Sequence, residues 1–424
     1  MKTIIRDAQT AIGIIAEYNP FHNGHALHIQ RAREALGAEV PVLVTLSSSF
    51  TQRGEPALAD KWARTRMALL NGADLALELP FAFACNAAPE FARGAVDILA
   101  ATGLVTHLSF GTERLFAAES PFSANENSNT ILNILSEEPL SFKLNLKKNL
   151  KRGQSYPKAV AGALERELSS NVTPPLLAPN DILALAYILH LRRKKYDLIP
   201  LPVKRQGEGY HDLSPGKLAS AAAIRQTLTA KKLLSESLTG WVREALPASS
   251  LAVLEDEEKR GRLCLGVENL WALLRGLLNR TSKEELRLCP GMDEGLENLF
   301  LKHSPRADSW EDFVGRCVCA RYTRSRIQRQ AIRFLTGADR WTALALSRRS
   351  PPYIRVLGYN QRGRKLLRLC GNTASAPVIT RLGAVSDPIA RAAADLEFRA
   401  SRLRELLLPR PDLQYEERQK PISL

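Results

Sequence analysis

Residues 13–28 read GIIAEYNPFHNGHALH. The stretch opens on a strand: residues 11–16 (AIGIIA) form an uninterrupted apolar run, as in strands covered on both faces. A polar loop follows, and His22-Asn23-Gly24-His25 starts a helix whose apolar spacing runs on over 26–36. Two imidazoles three residues apart at a helix start can reach one anion together. The free N–H groups and positive dipole end of the helix add to that pull. Gly24 removes the Cβ that would keep a phosphate from the backbone. In α/β proteins such a loop lies at the carboxyl ends of the strands, where ligands bind. His22 and His25 are therefore the candidate catalytic pair.

The pattern repeats on both sides of this unit. Residues 40–46 (VPVLVTL), 73–79, 107–110 and 198–203 read as further strands, and 60–70 and 91–101 as helices, the first capped by Asp60. Continuously apolar strands alternating with helices predict an α/β fold built on an open, doubly wound parallel sheet. Residues 117–130 read as a polar loop, with helices near 131–150 and 157–169. Residues 170–181 carry three prolines and lead into a helix over 181–194 capped by Asp181. Residues 205–217 read as a loop, and a helix opens at 219. Beyond about residue 240, Leu-rich segments of helical spacing dominate (251–278, 293–302, 309–335, 386–407), with short strands at 351–357 and 377–380. The expected division is a Rossmann-like, nucleotide-binding catalytic domain over 1–240 and a mostly helical, basic domain over 241–424.

The chain has 424 residues, 59 Lys+Arg against 44 Asp+Glu, and a formal charge of +15. With 45% hydrophobic and 24% charged residues, disorder is excluded. The six cysteines show no C-x-x-C or Cys/His spacing, which fits reduced core thiols in a cytoplasmic protein and no zinc site. No apolar run is long enough to span a bilayer, so no membrane partner is expected. The basic excess is local. Residues 316–368 hold 14 basic residues against one acid, Asp339. Arg326, Arg329 and Arg333 fall on one helix face, and Tyr322, Trp341, Tyr353 and Tyr359 interleave with the charges. Arg321, Arg324, Arg326, Arg329 and Arg333 are the candidate contacts for an RNA backbone.

A buried strand followed by H-x-G-H resembles the nucleotidyltransferase superfamily, whose members bind ATP there and attack its α-phosphate. Further stretches narrow the likeness: EYNPFHNGH (17–25), QRGEPA (52–57), KWARTRMAL (61–69), FGTE (110–113), PNDIL (179–183), YHD (210–212) and PPYIRVLG (351–358). Together they resemble the tRNA(Met) cytidine acetate ligase family. The resemblance implies that ATP and acetate form acetyl-adenylate and pyrophosphate. The acetyl group then passes to N4 of the wobble cytidine of elongator tRNA(Met). It also implies ATP contacts at Ile15, Ala16, Glu17, Tyr18, Asn19, Pro20, Phe21, His22, Asn23, Gly24, His25, Ala26, Leu27 and His28, and at Gly111, Asn180 and Arg205, with Mg2+ accompanying the nucleotide.

Without the resemblance, Gly111 reads as a turn glycine or as an opening for adenine or ribose. Asn180 then reads as a helix cap and Arg205 as a surface arginine or a phosphate grip. Residues 219–225 (ASAAAIR) keep only Ser220 and Arg225 of the S-S-T-x-x-R phosphate signature of related adenylyltransferases. Residues 47–51 carry Ser48-Ser49-Phe50 where relatives tend to have a glycine and a polar residue. Two other functions remain on sequence: an adenylyltransferase for a small phosphorylated cofactor precursor, and a non-catalytic RNA-binding protein. The basic helical half argues against the first, and intact His22 and His25 against the second.

Overall fold

The computed structural model describes residues 11–113, 126–168, 178–205, 216–230 and 240–424. The YHD motif at 210–212, residues 117–125 of the polar stretch and residues 170–177 of the proline-rich stretch lie outside them. Among the described residues eight strands form one sheet: β1 (Ile12–Ala16), β2 (Val42–Ser47), β3 (Leu75–Leu79), β4 (His107–Thr112), β5 (Ile199–Lys204), β6 (Ile354–Tyr359), β7 (Val378–Ile379) and β8 (Ile422–Ser423). Their order is β5-β4-β1-β2-β3-β6-β7, with β8 on β6. The first five are parallel, and β6 runs antiparallel to β3. The order reverses between β1 and β4, which opens a crevice at their carboxyl ends.

The strands expected from apolar runs form in place. β2 and β3 are buried at every position, as a sheet covered on both faces requires. The helix Lys61–Leu70 starts as expected: the Asp60 carboxylate accepts from Ala63 N–H at 2.8 Å. Two expectations are corrected nearby. The helix expected over 131–150 is two helices, Glu126–Glu137 and Leu140–Lys151, because Glu138 adopts a positive φ and Pro139 cannot continue the first. Asp181 is not a cap. The helix Pro179–Lys194 begins after Ala178. The Asp181 carboxylate instead accepts from the Thr112 hydroxyl at 2.6 Å and Glu113 N–H at 2.9 Å. It ties the helix start to the end of β4.

A boundary at residue 240 does not divide this molecule. The helices Glu268–Arg280, Trp310–Cys317 and Arg324–Leu335 do build a cluster around Leu274, Trp310 and Phe313, which Phe50, Phe81 and Cys85 from the first half join. The chain then returns: β6 pairs with β3, so residues from both expected domains share one sheet and one core. The reason is chemical as well as apolar. Lys61 Nζ lies fully buried, 2.8 Å from both Glu397 and Glu416 and in contact with Glu78. Arg355 from β6 reaches Glu78 at 3.2 Å and Glu416 at 2.6 Å. Charges this deep persist only when paired, so these five side chains lock the C-terminal helix Pro388–Glu405 to β3.

The serines of the departing loop belong to the same lock. Ser48 donates to Glu397, and Arg64 donates to Ser48 O at 2.5 Å and Ser47 Oγ at 3.2 Å. All six cysteines are free thiols, five of them buried. Among the described residues no helix is long and apolar enough to cross a membrane.

Candidate active site

A cavity opens at the carboxyl ends of β1, β4 and β5. It gathers Ile15, Ala16, Glu17, Tyr18, Asn19, His22, Gly24, His25, Leu27 and His28 from the opening motif, together with Gly111, Asn180, Arg205, Ser220 and Arg225. Four expected contacts do not line it. Pro20 and Phe21 are buried, and the Phe21 ring packs edge-on to Tyr18 with centroids 4.6 Å apart. Ala26 packs on the core beneath. Asn23 turns outward, its amide donating to Lys217 O at 3.1 Å and Glu244 O at 2.6 Å. These residues shape the loop rather than face its contents.

The two histidines cap the helix Asn23–Leu36 and face the cavity at once. His22 Nδ1 accepts from Gly24 N–H at 3.0 Å, and His25 Nδ1 accepts from His22 N–H at 3.2 Å. An Nδ1 that accepts leaves the proton on Nε2. Both rings therefore carry Nε2–H donors, stacked with centroids 3.7 Å apart. Burial first, then Arg205 and Arg225, hold the His22 imidazolium at about 3. Burial, then His22 and Arg205, hold His25 well below its usual value. The pair is thus neutral and donor-bearing, suited to an anion without like-charge repulsion. Gly24 is needed by the cap itself, since a Cβ there would sit 2.8 Å from His22 Cε1. Tyr18 holds a φ of 46°, which costs a bulky residue on the order of 1–3 kcal/mol. Its ring, edge-on to His25 at 4.7 Å, sets the angle of the motif.

The remaining walls are cationic. Arg31, Arg53, Lys204, Arg205 and Arg225 line the cavity, against Glu17 as its only lining carboxylate among the described residues. Arg205 Nη1 reaches Asn180 Oδ1 at 3.4 Å, and Asn180 donates to Glu113 at 2.6 Å. Asn180 is thus a bridge inside the helix rather than a cap. Gly111 admits the Arg205 stem: a Cβ there would lie 3.2 Å from Arg205 Cγ. Ser220 caps the helix Ala221–Ala230 through Ala223 N–H at 3.1 Å. Arg225 holds Asn19 O at 2.8 Å and Glu55 at 3.1 Å. His28 Nε2 meets Ser109 Oγ at 2.9 Å, and burial lowers its pKa to about 4. Burial raises that of Glu17, whose carboxylate accepts from Gln52 N–H at 2.7 Å.

The sequence reading missed Arg31, Gln52, Arg53, Phe91, Leu183 and Tyr187, all of which line the cavity. The QRGEPA likeness marked Gln52 and Arg53 without a role. Leu183 and Tyr187 follow Asn180 at i+3 and i+7, a face readable only once Asn180 is placed.

The arginines expected on an RNA face separate. Arg321, Arg324 and Arg326 are at least partly exposed, and they pair with Glu294 and Glu311. Arg329 and Arg333 point inward, a correction to the expected surface. Arg333 is buried and donates to Asn86 at 3.1 Å. Arg329, half-buried, donates to Gln52 O at 3.1 Å. Their face is the packed one, because the helix Arg324–Leu335 lies against the 52–54 loop.

Comparison with known proteins agrees with this geometry. The profile of the family described as HIGH Nucleotidyl Transferase matches residues 9–420. A tRNA(Met) cytidine acetate ligase of Caldicellulosiruptor saccharolyticus is 39% identical over 424 aligned residues, covering 98% of each chain. One of Acetivibrio thermocellus is 35% identical over 399, covering 92% of this chain and 94% of that one. The crystal structure of apo Thermotoga maritima TmcAL superposes with a TM-score of 0.88 at 32% identity, covering 98% of this chain and 99% of that one. The same protein bound with alpha-thio ATP gives 0.86, with the same identity and coverage. The chain belongs to the HIGH nucleotidyl transferase family and, within it, to the tRNA(Met) cytidine acetate ligases.

Proposed function

We propose that this chain activates acetate with ATP and transfers the acetyl group to N4 of the wobble cytidine of elongator tRNA(Met). An acetate oxygen attacks the α-phosphorus, the bond to the bridging oxygen breaks, and pyrophosphate leaves. The cytidine amine then attacks the acetyl carbonyl, AMP leaves, and one amine proton is released. The observation that carries the reading is the neutral His22–His25 pair, with two Nε2–H donors set at a helix start in a cationic cavity. Such donors suit the charge that grows on the α-phosphate in the transition state. Arg205, Arg225 and the helix start at Ser220 supply the charge for the departing phosphates.

Among the described residues no group of three or more His, Cys, Asp and Glu side chains gathers as a metal site. Mg2+ enters in this reading as part of the nucleotide substrate, held by phosphate oxygens. RNA docks through Arg321, Arg324 and Arg326. Their surface ion pairs are each worth about 0–1 kcal/mol, so phosphates can replace Glu294 and Glu311.

The test uses the full chain, labelled acetate, ATP and unmodified elongator tRNA(Met), followed by nucleoside analysis. Label in N4-acetylcytidine is expected. Label in another product, or incorporation without ATP, contradicts the reading.

A further inference from the structure

The loop after β2 is gripped from two sides. The N–H of Gln52 donates to Glu17 Oε1, at the end of β1, at 2.7 Å. The carbonyl of the same residue accepts from Arg329 Nη1 at 3.1 Å. Two residues on, Gly54 has a φ of 77°, and a Cβ there would come within 2.5 Å of Arg329 N and 2.7 Å of Gln328 C. The loop backbone therefore rests directly on the helix Arg324–Leu335. Glu55 completes the hold by pairing with Arg225 on the opposite side.

Arg329 is an unusual group to find there. No carboxylate among the described residues lies within ion-pair distance of it; Arg333 and Arg326 act on it as like charges, and Glu90 only from beyond ion-pair distance. Burial holds its pKa down to about 10. Keeping a cation half-buried without a counter-ion is costly, and its guanidinium donates to a single backbone carbonyl among the described residues.

The position of that carbonyl explains the placement. The groups that suit a triphosphate come from β1, β4, β5 and the helix Ala221–Ala230, on both sides of the crevice between β1 and β4. Gln52 and Arg53 come from the loop after β2, next to β1 in the sheet, and form the wall of the cavity on that side. Arg326, one of the exposed cations, is one helical turn from Arg329.

We propose that Arg329 is a positioning residue for the acyl-transfer half of the reaction: with Glu17 it fixes Gln52, and so sets the wall past which the RNA base reaches the acyl-adenylate. This rests on the two-step reading above. It departs from the sequence expectation that Arg329 touches RNA.

The experiment compares full-length wild type, Arg329→Ala and Arg329→Lys in three assays. Acetate-dependent exchange of pyrophosphate into ATP, without RNA, reports the first half. Acetyl transfer to saturating unmodified elongator tRNA(Met) reports the second. Filter binding of that RNA across salt concentrations reports affinity. For Arg329→Ala, exchange should stay within twofold, transfer kcat should fall at least tenfold, and RNA Kd should change less than threefold with an unaltered salt slope. Arg329→Lys, which keeps a cation and a donor, should recover at least a third of the transfer kcat.

A tenfold rise in Kd at unchanged kcat would overturn the proposal and return Arg329 to the RNA surface. Equal loss of exchange and transfer in the folded Lys variant would also overturn it, as would wild-type transfer in Arg329→Ala. Wild-type protein inactive in both reactions would instead remove the two-step reading itself.

Discussion

In the proposed reaction the imidazoles of His22 and His25 meet the α-phosphate, and their state follows from two backbone contacts. Each Nδ1 accepts an N–H of the helix start, so each ring is held neutral with its donor on Nε2. The residue types and spacing were legible in the H-x-G-H motif. The tautomer was not, because it depends on which backbone donors the fold brings to each ring. The arrangement that caps the helix also leaves both rings lining the cavity. At this scale, the His22, His25 and His28 ring signals in NMR of the free protein should not titrate between pH 8 and 5.5, given values of about 3 for His22 and about 4 for His28. A midpoint near 6.5 that disappears in His22→Ala or His25→Ala would contradict this. Linkage fixes the sign for stability. The unfolded chain binds these protons at about 6.5 and the folded one only lower, so these histidines withdraw stability as pH falls from about 6.5 toward 3.

Elements were legible where their burial pattern is local, and their partners were not. The strands 11–16 and 40–46 announce themselves as apolar runs. Lys61 and Arg64 lie in the first turns of a helix, and both are fully buried. Two partners of Lys61, Glu397 and Glu416, lie far along the chain: Glu397 is 336 residues away. No periodicity encodes such a pairing. KWARTRMAL and PPYIRVLG were nonetheless the right stretches to notice, since Lys61 and Arg355 sit in them and meet the same carboxylates. Removing one partner should be severe. Lys61→Met leaves Glu78, Glu397 and Glu416 with Arg355 alone, and urea unfolding should show a loss of about 3–5 kcal/mol. A change below about 1 kcal/mol would mean that this cluster does not hold the C-terminal helix. Gly54→Ala should likewise impair transfer, because the loop would have to lift off the helix that carries Arg329; transfer at the wild-type rate would show that the close packing is dispensable.

The whole-molecule picture changed most. The acid-poor segment 316–368 suggested a separate basic platform. Folding brings acids to it from elsewhere: Asp293, Glu294, Glu311, Asp312, Asp387 and Glu39 pair with seven of its arginines. Arg355 and Arg333 are buried outright. A local charge count cannot see such partners, and it overstated the exposed field. Arg321, Arg324 and Arg326, though paired, stay at least partly exposed, with Trp341 75% exposed on the next helix. Replacing Arg321, Arg324 and Arg326 together by Ala should weaken RNA binding and lower the salt slope by about 2, at about 0.7 per contact to single-stranded RNA. Exchange without RNA should be unaffected. An unchanged slope would place the RNA elsewhere.

The sheet gives the other whole-molecule lesson. β6 joins the catalytic sheet from beyond residue 350, so the helical part is built into the enzyme rather than appended to it. The most direct test of the account needs no RNA. Exchange of labelled pyrophosphate into ATP is measured with and without acetate, in wild type and in His25→Ala. The account predicts exchange that requires acetate and falls about 10²–10³-fold in the variant, the usual cost of losing a donor to transition-state charge. Exchange that proceeds without acetate, or that survives His25→Ala, would contradict it.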